Sequence, residues 1–227
     1  MPKKTQAAPQ PKKAGKAGPA KPKLAKPKQL KKKHLKAVSS GQDEAKVISS
    51  EVVYQGPLFR VTKDHILEPG GKDSVRDVVR HNGSVVILAV DDSKSKKDPW
   101  IVMERQYRHA ARRFLWELPA GKLEPGEEPL AGAKRELEEE TGYRSKKWKP
   151  LVEYFASPGF LGESMKVFVA EGLVAGDAHP EEDEHIELRL VKLSEIVKMI
   201  EQGGIMDGKT LSCVLLYSQL QRSKKKK

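Results

Sequence analysis

The chain has one cysteine, Cys213, few aromatics (6%), and no apolar run long enough to span a membrane. A lone cysteine excludes an intramolecular disulfide and any multi-cysteine metal site, and it fits a reducing, cytoplasmic compartment. Its expected role is core packing, because a free thiol behaves as a small hydrophobe. A transmembrane helix needs about 18 or more consecutive apolar residues, so none is expected. The basic start has no apolar stretch behind it, which argues against a secretory signal. Acid is also missing, but only locally. Residues 1–37 hold thirteen lysines and six of the fifteen prolines, with no arginine, no Asp or Glu and no aromatic.

The formal net charge of +12 therefore hides a division. Residues 1–37 carry +13 and residues 222–227 carry +5, which leaves −6 for residues 38–221. A segment of Lys, Ala, Pro and Gly cannot bury enough apolar surface to offset its ordering entropy, so residues 1–45 are expected to be a disordered basic tail. Thirteen lysines attract phosphate through counterion release, which makes non-specific nucleic acid or another polyanion an expected partner. A solubilising extension with no dedicated partner is the plainer reading. With no aromatic to stack on bases, sequence-specific or single-strand recognition is disfavoured.

The body begins near Val47. Strands are expected at 51–54, 58–67, 75–80, 84–90, 100–107, 151–155, 165–170 and 185–190, with a turn at 68–72 where Pro69, Gly70 and Gly71 cluster. The β-branched run at 84–90 is continuous and short, as for a strand buried on both faces. Helices are expected at 129–140, 193–202 and 210–220, the first stopping at Gly142. Mixed strands with late helices argue for an α/β or α+β sandwich.

The segment from Gly121 to Tyr143 carries the chemistry. On a helix, Glu136, Glu139 and Glu140 stand at i, i+3 and i+4, so three carboxylates share a face. Like charges at that spacing destabilise a helix by about 0.2–0.5 kcal/mol per pair. Hard oxygen donors so gathered gain a purpose around Mg²⁺ or Mn²⁺. Leu130, Ala133 and Leu137 fall on the other side and are expected to anchor the helix to a sheet. A bare glutamate run is more often a solvated face, with Lys134 and Arg135 pairing to Glu138 and Glu139. The full spacing changes that. Gly121, Glu127, Arg135, Glu136, Leu137, Glu139, Glu140 and Gly142 match the pattern Gly-x5-Glu-x7-Arg-Glu-aliphatic-x-Glu-Glu-x-Gly-aliphatic, with Tyr143 in place of the last aliphatic residue.

That pattern is the Nudix box, and the chain resembles a Nudix hydrolase. Three further stretches resemble the ADP-ribose pyrophosphatase subfamily: Gln106-Tyr107-Arg108, Glu117-Leu118-Pro119-Ala120-Gly121, and Ser157-Pro158-Gly159-Phe160, whose proline falls 15 residues after Tyr143. The resemblance implies an α/β/α sandwich around a mixed sheet, preceded by a small antiparallel β-layer. On this sequence the domain would cover residues 46–221, with the β-layer at 46–80, the core at 81–221 and a basic tail at 222–227. It implies metal-dependent hydrolysis of a nucleoside diphosphate sugar, first ADP-ribose to AMP and ribose 5-phosphate, with GDP-mannose or another nucleotide sugar as the alternative. Glu136, Glu139, Glu140 and the Ala120 carbonyl would hold Mg²⁺ or Mn²⁺. Arg135 would fix those carboxylates and act with Glu139 in the catalytic set. Within the acidic stretch at 181–184, Glu182 would serve as general base and Glu184 as an extra metal contact. Glu163 is a further residue of the active cleft. Arg76, Arg108 and Glu117 would bind substrate. The resemblance also implies a homodimer, whose β-layer helps to build the partner's adenosine pocket. Tyr54 or Phe59 could stack on adenine there, although core packing is the expected fate of both. His65, His81 and His185 share no ligand spacing and receive no role. A different class also remains: a polyanion-binding protein that uses the Nudix body as a ligand sensor.

Overall fold

A computed structural model describes residues 44–179 and 185–224. The basic tail up to residue 43, Glu182, Glu184 and residues 225–227 lie outside the described residues. Strands β1 (Lys46–Gln55), β2 (Arg60–Leu67) and β3 (Asp73–Arg80) form an antiparallel sheet in that order. Strands β4 (Ser84–Asp91), β5 (Trp100–Arg108), β6 (Arg113–Glu117), β7 (Ala120–Lys122), β8 (Arg144–Phe155), β9 (Ser164–Val174) and β10 (Glu187–Lys192) form a second sheet. Its order is β10-β5-β4-β9-β8, with β6 paired to β5 and β7 to β4. The β4–β9 pairing is parallel and the others are antiparallel, so the sheet is mixed. Helices α1 (Pro129–Thr141), α2 (Leu193–Glu201) and α3 (Gly208–Lys224) complete the described fold.

Strand β4 explains the layering. Successive side chains of a strand point to opposite faces. Val85, Ile87 and Ala89 pack with Ala133 and Leu137 of α1, whereas Val86, Leu88 and Val90 pack with Ile196 of α2 and Cys213 and Val214 of α3. Helices cover both faces, so the run reads as continuously apolar, and each fully buried Val, Leu or Ile contributes about 1.5–3 kcal/mol. The α/β/α sandwich stands as expected. Cys213 is fully buried in this core, and burial pushes its thiol up to about 12, which leaves it unreactive at neutral pH. No described helix is long and apolar enough to cross a membrane.

Some elements depart from the sequence reading. Strand β8 starts at Arg144 rather than 151, because Arg144, Lys146, Lys147 and Lys149 occupy an edge strand. Lysines guard such edges against pairing with other chains. Pro150 sits beside a register shift, where its missing N–H is tolerated. Strands β6 and β7 were not expected; β7 has three residues, too few to show a period.

In the N-terminal sheet Asp64 of β2 is buried and ties the strands together. It accepts the Ser50 hydroxyl of β1 at 2.6 Å and pairs with Arg80 of β3. The Ser50 hydrogen bond above all, with Thr62 and Arg80, holds its carboxyl below the usual range despite burial. Strand β1 is exposed along its whole length, including Val47, Ile48, Val52 and Val53. The expectation of core packing for Tyr54 and Phe59 is corrected. The rings pair at 5.7 Å but remain 52% and 37% exposed, because this small sheet provides no layer to cover them. Gly56 permits the arrangement, since a Cβ there would lie 2.8 Å from the Tyr54 hydroxyl oxygen.

Candidate active site

Helix α1 starts with Pro129 in its first turn, where a missing N–H costs nothing, and ends at Gly142. Gly142 adopts φ 70° and donates its N–H to the Glu138 carbonyl at 2.8 Å. A Cβ on Gly142 would stand 2.5 Å from the Gly176 carbonyl oxygen, so the glycine lets the segment after β9 lie against the helix end. From that segment the His179 N–H donates to the Glu139 carbonyl at 2.9 Å.

Ala133 and Leu137 bury one side of α1, and Glu136, Glu139 and Glu140 turn the other toward a cleft. Arg135 resolves the like-charge conflict. Its Nε and Nη2 donate to Glu127 at 3.0 and 3.1 Å, while Nη1 lies 2.9 Å from both Glu136 and Glu139. Nη2 also donates to the Lys122 carbonyl at 3.3 Å. Glu127 first, then the other two glutamates, makes this guanidinium still harder to deprotonate against the effect of burial. Glu127 in turn is held below the usual carboxylate range by Arg135 and by the Glu124 N–H. Glu140 is buried, with Oε2 accepting the Ala120 N–H at 3.0 Å. Gly121 is a close approach: a Cβ there would fall 1.9 Å from the Glu136 carboxyl carbon.

Another part of the cleft is cationic. Arg108, at the end of β5, forks onto Glu117 of β6 through Nε at 3.0 Å and Nη2 at 2.9 Å. Lys209, at the start of α3, pairs with the same Glu117 carboxylate and lies 3.2 Å from Asp207. Burial would raise the Glu117 carboxyl, but Arg108 and Lys209 together bring it below its ordinary value. A third side is set by the stretch around Pro158. Phe160 accepts the Val79 N–H at 2.8 Å, and Gly162 donates to the Val79 carbonyl at 2.9 Å, which ties the loop to the end of β3. This brings in Glu163, which accepts the Ser84 hydroxyl at 2.6 Å and lies 3.8 Å from Nδ1 of His81.

The resulting cleft of about 670 Å³ is lined by Ala120, Gly121, Arg108, Arg135, Glu136, Glu139, Glu140 and Glu163. Glu117 does not line it; the residue is 1% exposed and stands behind the wall that it braces. Leu137 is core, Glu127 backs Arg135, and Gly142 caps α1. Arg76 is not brought to the cleft within this chain, for it sits on exposed β3 and pairs with Glu68. The sequence reading missed Lys209, Lys122, Ser84 and His179 and gave His81 no role, yet all five line the cleft. Lys209, Ser84 and His179 meet partners far away in the chain, Glu117, Glu163 and Glu139.

The donor set suits a hard divalent cation: three carboxylates on one helix face and a backbone carbonyl nearby. Among the described residues no three His, Cys, Asp or Glu side chains converge closely enough to enclose an ion, and Arg135 stands against Glu136 and Glu139 instead.

A NUDIX domain model matches residues 80–210. The ADP-ribose pyrophosphatase of Bacillus subtilis (strain 168) is 39% identical over 182 residues, which cover 79% of this chain and 95% of that protein. The methanol dehydrogenase activator of Bacillus methanolicus is 38% identical over 186 residues, covering 81% and 97%. A solved structure of an ADP compounds hydrolase aligns with TM-score 0.69 over 82% of this chain and 98% of its own. At 20% identity that likeness is one of fold.

Proposed function

This chain belongs to the Nudix family, and from that premise we propose that it hydrolyses the diphosphate bond of a nucleotide sugar, ADP-ribose first, to AMP and ribose 5-phosphate. The observation that carries this reading is one cleft with the box carboxylates on one side and Arg108 and Lys209 on another. A diphosphate resists hydrolysis because its own negative oxygens repel the attacking water. The cationic wall receives those oxygens and orients the phosphorus centre. Mg²⁺ or Mn²⁺ held by Glu136, Glu139, Glu140 and the Ala120 carbonyl, with Glu184 as a further contact, would supply charge neutralisation and a lower pKa for the attacking water. Arg135 sets where Glu136 and Glu139 point by contacting one oxygen of each, which leaves the second oxygen of each for an ion. Glu182 is the proposed proton acceptor, with Glu139 the carboxylate of the cleft closest in role. The ligand-sensor reading is weaker, because a sensor has no need of the full carboxylate set with its arginine brace.

Turnover with Mg²⁺ on ADP-ribose, GDP-mannose and a dinucleoside polyphosphate tests the assignment. The highest kcat/KM is expected on ADP-ribose. A higher value on GDP-mannose would overturn the substrate, and turnover on none would overturn the enzyme reading. The basic tail is proposed to bind nucleic acid non-specifically. A chain lacking residues 1–45 is expected to keep its turnover and to lose salt-sensitive nucleic-acid binding.

The proposed assembly is a homodimer through the N-terminal sheet. Strand β1 lies at a sheet edge and exposes Val47, Ile48, Val52, Val53 and Tyr54, an apolar surface that suits a second copy. Pairing would also bring Arg76, remote from its own cleft, to the partner's. Light scattering is expected to give twice the chain mass for the native protein and a monomer for Ile48→Lys/Val52→Lys, with KM for ADP-ribose raised about tenfold or more. A native monomer, or a monomeric variant with unchanged KM, would contradict the proposal.

A further inference from the structure

We propose that Lys209 is an anion-binding side chain of the cleft, held beside Arg108 on their shared partner Glu117 so that the two cations together receive the diphosphate oxygens of the substrate. This deepens the reading of the cleft as a nucleotide-sugar site and rests on it.

Lys209 is placed at a cost that its ion pairs with Glu117 and Asp207 offset. Its side chain is 10% exposed, and a buried ammonium is costly unless paired. It stands at the first turn of α3, where the helix dipole opposes a positive charge. Glu117 already has a two-pronged partner in Arg108, and Lys209 adds a second cation to the same carboxylate. Arg108 and Lys209 meet Glu117 and Asp207 here, two cations to two carboxylates, and both cations line the cleft. Asp207 also caps α3, accepting the Thr210 N–H at 2.9 Å and the Thr210 hydroxyl at 2.6 Å.

The ammonium is also firmly aimed. An ammonium has three donors. Glu117 and Asp207 take two, and the residue lines the cleft that the third can reach. Thr210 Oγ1 accepts the Leu118 N–H at 2.8 Å, which locks the start of α3 to the residue after Glu117. Two residues further, the Ala120 N–H holds Glu140. One short stretch, residues 117–120, therefore sets both the cation pair and a box carboxylate, and fixes the distance across which a diphosphate must lie. A cleft of carboxylates alone would repel that substrate, and the paired cations remove the conflict.

The test compares Lys209→Gln and Lys209→Arg in the full chain with Mg²⁺. Glutamine keeps a hydrogen-bond donor for Glu117 and removes the charge; arginine keeps both. Lys209→Gln is expected to raise KM for ADP-ribose about 10- to 100-fold with kcat changed less than about threefold, and Lys209→Arg to recover most of the loss. Calorimetric titration with inorganic pyrophosphate is expected to weaken by a similar factor in Lys209→Gln. This second readout tests the cation pair whichever nucleotide sugar is the substrate. A native protein that binds pyrophosphate through Lys209 but ignores ADP-ribose would sink the substrate assignment and keep this proposal. A lowered melting temperature with unchanged KM and pyrophosphate affinity would overturn it, reducing Lys209 to a counter-charge for Glu117.

Discussion

Glu140→Gln is expected to lower kcat on ADP-ribose by about 10³-fold, with a melting temperature within a few degrees of native. The two effects separate because of what holds this residue. Glutamine has the same shape, and its amide oxygen can still accept the Ala120 N–H that Oε2 accepts now at 3.0 Å. Packing and the local hydrogen bond therefore survive, and only the charge is lost. That charge is repelled by Glu124, Glu136, Glu139 and Glu163 of the cleft and attracted by Arg108, so its loss changes stability little in either direction. A net change of about 1 kcal/mol either way would shift the melting temperature of a domain this size by about 2–4 °C. The same charge is what a divalent cation needs, so Mn²⁺ affinity measured by calorimetry is expected to fall with kcat. Activity within tenfold of native would remove Glu140 from the ligand set. A melting temperature lower by more than about 10 °C would make the residue structural first.

What could be read from the chain follows from how far apart the interacting residues lie. The box carboxylates were legible because a helix places i, i+3 and i+4 on one face whatever the rest of the fold does. Strand β4 was legible because burial on both faces leaves an unbroken apolar run. Strand β8 was legible only from residue 151, for its first half is a lysine-rich edge that looks like a loop until β9 is seen beside it. The cation wall was half legible. Arg108 and Glu117 were read separately as substrate contacts, whereas the structure joins them and buries the glutamate behind the arginine. Lys209 meets Glu117 across 92 residues, and Ser84 meets Glu163 across 79, distances over which no local pattern carries a signal. Arg76 and the paired rings of Tyr54 and Phe59 lie on the exposed N-terminal sheet, whose side chains acquire a context only from whatever covers that sheet.

Gly121→Ala is expected to lower kcat about 100-fold while the melting temperature falls only a few degrees. The backbone at Gly121 does not require positive φ, so alanine fits its conformation; the constraint is space. A Cβ would lie 1.9 Å from Cδ of Glu136 and 2.1 and 2.2 Å from its oxygens, far inside van der Waals contact. Either β7 moves or Glu136 does. Moving β7 would break its pairing to β4, where Val85 opposite Gly121 is completely buried. Turning the carboxylate costs about 0.5–1.5 kcal/mol where it leaves a χ angle about 30° off a staggered well, together with the contact to Arg135. The side chain should therefore give way, and the fold survives with Glu136 aimed wrongly. A double-mutant cycle checks this route. If Gly121 acts through Glu136, then Gly121→Ala/Glu136→Gln loses no more kcat than Glu136→Gln alone. Additive losses would mean that alanine disturbs another group, and β7 with the Ala120 carbonyl would be the first place to look. On this reading the glycine that opens the box is there because a carboxylate occupies the space where any larger residue would carry its Cβ.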